Sequence, residues 1–131
     1  MSDKSSVLKA FNNHFFEFIN DMIEIVSEND EIITAKYFFE QLKRTNPTII
    51  LKIWYEYIYA PYKDIVDAGS IDFILEKNYK TDLLILNNSE EIIKAVEKIR
   101  EPIRSMDKED KEASMKYIQN LSKLSLIYKS M

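Results

Sequence analysis

The stretch TNPTIILKIWYEYIYAPYKD, residues 45–64, decides between two folds. From Ile53 to Asp64 it packs one Trp, four Tyr and two Ile into twelve positions. A strand would need strict alternation, and Ile49 to Leu51 and Ile53 to Tyr55 break it with consecutive apolar residues. A helix places Ile50, Ile53, Trp54, Tyr57, Ile58 and Pro61 along one face. Lys52, Glu56, Tyr59 and Lys63 fall mostly on the other. The helical reading wins, with Asn46 as N-cap, Pro47 as first helical residue, and a kink or break near Pro61.

Upstream, Leu8, Phe11, Phe15, Phe18, Met22 and Ile25 recur at helical spacing, which predicts a helix over 6–26. Phe16, Ile19, Ile23 and Val26 widen its apolar face. Ser27 to Asp30 form a polar break. A second helix is expected over 31–44, with Lys43 and Arg44 suiting its C-terminal dipole. Downstream, Gly69 and Ser70 read as a helix stop followed by a cap, with a short helix from Ile71 to Lys77. Residues 78–88 stay open between extended, helical and loop forms. Asn88 and Glu91 have capping-box spacing ahead of a helix that contains Pro102. Asp107 opens a last helix, with Tyr117, Ile118, Leu121, Leu124, Ile127 and Tyr128 on its apolar face. The expectation is all-α: one domain over 1–131, a bundle of five or six helices, with 1–5 and 129–131 frayed.

Composition supports this and excludes several chemistries. The 131 residues suit one domain. One Gly and three Pro are too few for a fold rich in tight turns. Without Cys there is no disulfide framework and no thiolate metal site. His14, the only His, has no partner spaced for zinc and reads as a helix-edge residue. One Gly cannot build a phosphate loop. The acidic runs SENDE (27–31) and DKEDKE (107–112) lack calcium-loop spacing and read as solvated linkers or helix starts. No catalytic residue, cofactor or metal is expected, and the chain reads as a non-enzyme.

Net charge is −4, divided as −3 over 1–46, −2 over 47–88 and +1 over 89–131. No segment supplies the basic stripe that free nucleic acid requires, so direct nucleic-acid binding is not expected. The last helix carries Lys116, Lys123 and Lys129, and docking on its own domain is its simplest role. No signal peptide or spanning segment is visible, so an intracellular protein is expected.

At TNPT, WYEYIYAPY, AGSIDFILEKNY, IREPIR and KYIQNLSKLS the chain resembles a family of short helical proteins encoded by large cytoplasmic DNA viruses that infect algae and protists. The resemblance spans roughly residues 8–128 and includes Asn46, Pro47, Trp54, Tyr57, Pro61, Tyr62, Gly69, Tyr79, Arg100, Pro102 and Arg104. It implies a host-cytoplasm or virion setting and an assembly role, with no activity or substrate.

The expected function is therefore a protein–protein interaction module, with self-association as one form. Tyr55, Tyr59, Tyr62, Leu83 and Leu84 within the Leu83–Leu86 run, and the polar side of Arg100 and Arg104 are the expected contacts, because interfaces favour Tyr and Arg. The alternative is an accessory factor of nucleic-acid machinery using Arg100, Arg104 and the lysines of the last helix.

Overall fold

The computed structural model describes residues 3–26, 30–87 and 89–131, and among them there is no strand. α1 runs Lys4–Ile25 and α2 runs Asp30–Thr45. A rod follows in four pieces: α3 (Ile49–Ile53), a π-helix (Trp54–Tyr59), a 3₁₀ turn (Ala60–Tyr62) and α4 (Lys63–Asp67). Then come α5 (Ile71–Glu76), α6 (Lys80–Leu83), α7 (Ser89–Arg104) and α8 (Lys108–Ser130). With the rod taken as one unit, the described residues form seven helical units against the five or six expected. The addition is α6, a single turn inside the stretch that the sequence left open.

The ends of the helices follow side-chain chemistry. Asp3 accepts from the Ser6 N–H (2.8 Å) and starts α1 at Lys4, earlier than the frayed terminus expected. Asp107 accepts from the Asp110 N–H (2.8 Å), as read from the sequence, and α8 stays helical through Ser130 rather than fraying at 129. Asn46 does not cap α3. Its Oδ1 accepts from the Thr48 N–H (3.2 Å) and hydroxyl (2.8 Å), closing a turn that delays the helix to Ile49. The polar break at 27–29 and the Asn88 half of the capping box lie outside the described residues.

The opening stretch is helical, but its turns are not uniform. Pro61 has no N–H, and in a regular α-helix its ring would strike the carbonyl of Tyr57. The chain widens instead: the Ala60 N–H donates to the Tyr55 carbonyl, a bond of i to i+5 spacing. Trp54 and Tyr59, five apart, are then both buried. The Trp54 ring meets Phe11 and Phe15 edge-on at 6.2 and 6.5 Å. Its Nε1–H donates to Ser122 Oγ (3.0 Å), and that hydroxyl donates to the Ile118 carbonyl (2.7 Å).

α8 packs along α1, and α2 packs along α7, with the rod crossing both groups. The main core joins Phe11, Phe15, Ile19 and Met22 of α1 to Leu51, Trp54, Ile118 and Leu121. A smaller cluster of Tyr79, Leu83 and Ile92 sits beside it. Among the described residues no helix is long and apolar enough to cross a membrane.

Gly69 ends α4 with φ +83°, the left-handed region that favours Gly. A Cβ there would lie 3.3 Å from Gln119 Nε2, which is itself tied to the Val66 carbonyl (3.1 Å). Gly69→Ala should therefore cost about 1–2 kcal/mol in chemical denaturation. An unchanged midpoint would show that the turn relaxes without strain.

Candidate functional site

α5 is a short helix, and the carbonyls of its last turn have no partner within it. α7 supplies one from outside. Both Arg100 Nη2 (2.5 Å) and Arg104 Nη2 (2.8 Å) donate to the Leu75 carbonyl. Glu97, Arg100, Glu101 and Arg104 share one face of α7 by their three- and four-residue spacing. Arg104 Nη1 also donates to Glu97 Oε1 and Glu101 Oε2, each at 2.6 Å. Those bonds hold the Arg104 guanidinium above its usual pKa, while burial lowers that of Arg100.

Arg100 is only 9 % exposed and lies 5.4 Å from the centre of the Tyr79 ring. Tyr79 follows α5 and is 4 % exposed. The Tyr79 hydroxyl and Arg100 Nε are buried and have no hydrogen-bond partner within the protein. Both residues line a cavity of about 90 Å³ whose surface is apolar throughout, so they meet it with carbon and not with these polar atoms. Phe15 and Phe18 come from α1, Phe39 and Leu42 from α2, and Trp54 and Ile58 from the π-turn. α7 adds Ile92, Val96, Ile99 and Ile103, while α5 and α8 add Ile74 and Ile118. π-turns recur at functional sites, and here one forms a wall of the cavity.

The residues expected to meet a partner divide into two groups. Tyr62, Leu83 and Arg100 gather around Tyr79, and Arg104 joins Arg100 at the Leu75 carbonyl. The Tyr62 ring meets Tyr79 edge-on at 6.4 Å, its hydroxyl donates to Asp82 Oδ2 (3.0 Å), and Lys77 Nζ lies 5.2 Å above its face. Leu83 is 1 % exposed and belongs to the same cluster. Tyr55 and Tyr59 lie apart from them. Tyr55 is half-buried with Lys129 Nζ 5.7 Å over its ring.

The structure corrects the surface placement of three of these residues. The α-helical wheel put Tyr59 on a solvent flank. The π-turn rotates it inward to 2 % exposure, where its hydroxyl donates to Asp67 Oδ1 (3.0 Å). Arg100 turns its polar end to Leu75 rather than to solvent, and Leu83 anchors α6 rather than the surface. Of the Leu83–Leu86 run, Leu84 (54 % exposed) and Ile85 (79 % exposed) are the outward members. His14 packs its ring beside Tyr117, 4.8 Å between centres.

A scan of protein-family models, a search of curated proteins and a search of solved structures each found no match to this chain.

Burial raises the Tyr79 hydroxyl from 10.0 to about 12, because a phenolate there would lose its water. The folded chain thus holds this proton more tightly than the unfolded chain. The associated stability is complete below pH 10 and is lost as pH rises toward 12. Tyr79→Phe removes that dependence together with an unpaired buried hydroxyl. It should match or exceed the parent stability at pH 7 and show a shallower loss in the alkaline window, measured by denaturant midpoint against pH. A steeper loss, or a large drop at neutral pH, would mean the hydroxyl has a stabilising partner.

Proposed function

We propose that the protein is a non-enzymatic interaction module, a single helical domain that docks on a protein partner through the Leu84–Ile85 corner. The observation that carries this reading is the exposure of two adjacent aliphatic side chains on a fixed turn. Ile85 is the most exposed large hydrophobic residue among those described. The turn is closed by the Leu86 N–H donating to the Leu83 carbonyl (3.1 Å), and buried Leu83 ties it to the core. Single exposed aliphatics are ordinary on protein surfaces. An adjacent pair held on an ordered corner suits insertion into a partner's apolar pocket, where burial of each would contribute about 1.5–3 kcal/mol.

The reading as an accessory factor of nucleic-acid machinery has less support. Arg100 and Arg104 direct their donors to Leu75, Glu97 and Glu101, which leaves the lysines of α8 to meet phosphate.

A photo-crosslinking residue at Ile85, compared with one at Lys108 on the solvated start of α8, tests the proposal in cells that express the chain. One dominant protein adduct at position 85, absent at 108 and lost on Leu84→Asp, is expected. An adduct with a second copy of the chain would define the partner as itself. Identical faint patterns at both positions would sink the proposal.

A further inference from the structure

A groove of about 600 Å³ lies between α1 and α2, and its two walls differ in sign. α1 lines it with Asn13, Phe16, Glu17, Asn20 and Asp21, two acids and no base, for a net −2. α2 lines it with Lys36, Glu40, Lys43 and Arg44, three bases and one acid, for a net +2. Among the described residues no ion pair joins the walls. The two acids of α1 share the Tyr117 hydroxyl instead. Lys43 Nζ lies 5.3 Å over the Phe16 ring, and Arg44 donates to Gln41 Oε1 (3.1 Å).

Tyr37 stands beside this groove. It follows Lys36 and shares a helical face with Glu40 and Arg44, three and seven positions on. Its exposure is 65 %, and among the described residues no hydrogen bond or ring contact holds it. Tyr and Arg are the residue types that interfaces enrich.

Charge selects the partner. A patch of one sign repels its own copy and calls for an opposite patch. A patch divided into opposite walls is complementary to its own image, because a two-fold axis sets the α1 wall of each copy against the α2 wall of the other. Two-fold dimers require such a self-complementary surface. The walls sum to zero charge, so the groove does not steer nucleic acid or a peptide of one sign. Size is adequate as well. A phenol ring is close to benzene, which roughly 150 Å³ accommodates, and the groove is several times larger.

We propose that the protein pairs with a second copy of itself across this groove, each copy placing its Tyr37 ring in the groove of the other. The ring rests on Phe16, its hydroxyl meets the amides of Asn13 and Asn20, and ion pairs between opposite walls form the rim. The ring supplies the buried anchor, while the rim charges set register and encounter rate. This surface is separate from the Leu84–Ile85 corner, so failure of either reading leaves the other standing.

Sedimentation equilibrium of the whole chain over a wide concentration range is the test. A monomer–dimer equilibrium is expected, weakened at least tenfold by Tyr37→Ala and unchanged by Leu84→Asp. Two charge variants probe the walls at exposed positions. Asn13→Lys with Glu17→Lys and Asn20→Lys makes both walls positive, and Lys43→Glu with Arg44→Glu makes both negative. Each variant alone should be monomeric, and an equal mixture of the two should dimerise. Circular dichroism of each checks that it is folded, and Tyr37→Ala stands as the test by itself where one is not. A monomer at every concentration would overturn the proposal. So would a dimer that ignores Tyr37→Ala, one that Leu84→Asp dissolves, or folded charge variants that remain monomeric when mixed.

Discussion

Much of the structure depends on how the chain passes Pro61. A proline deep in a helix removes one backbone donor and crowds the carbonyl four residues earlier. Here the turn before it expands, and the expansion resets the phase of every side chain in the rod. Trp54 and Tyr59 become neighbours on the inner side, although an α-helical wheel separates them. Trp54 then reaches α1 through Phe11 and Phe15, and α8 through Ser122. Tyr59 ties the π-helix to α4, the last piece of the rod, through Asp67. The aromatic density of residues 53–64 is thus explained first as core, since a wide turn needs large side chains to fill the space around it.

A second constraint comes from the shortness of α5. Six residues cannot satisfy their own terminal carbonyls, and two arginines from α7 meet that need at Leu75. The arrangement has a cost. Arg100 must be buried to reach Leu75, and burying a guanidinium without full pairing is unfavourable. A 90 Å³ cavity beside it adds about 2 kcal/mol at roughly 24 cal/mol per Å³. The unpaired Tyr79 hydroxyl adds about 1–3 kcal/mol more. Against a typical net stability of about 5–15 kcal/mol these are large terms. Functional sites are where such local conflicts persist.

Most helices were legible in the sequence because each has an apolar stripe of helical period and a recognisable end. Asp107, Gly69 and Ser70 act as read. The misplacements have physical causes. Tyr59 moved because periodicity assumes a constant turn, and Pro61 changes it. Ser122 and Ser125 are buried in α8, though a serine reads as polar. Their hydroxyls donate back to the Ile118 and Ser122 carbonyls, and this lets them lie inside. The pairing of Arg100 with the Tyr79 ring was not legible at all. Arg100 and Tyr79 are 21 positions apart, and a single Tyr in the ambiguous stretch 78–88 carries no pattern. Only the fold of α5 back onto α7 brings the two together.

That same stretch links the interior to the surface. Tyr79 lines the cavity, Leu83 is fixed in the adjoining cluster, and Leu84 and Ile85 emerge directly after it. α6 is a single turn, too short to be a stable helix by itself. Its position rests on the buried side chains at its two ends. The buried cluster and the outward aliphatic pair are therefore joined by seven residues of backbone, Tyr79 to Ile85, four of them in the single turn of α6.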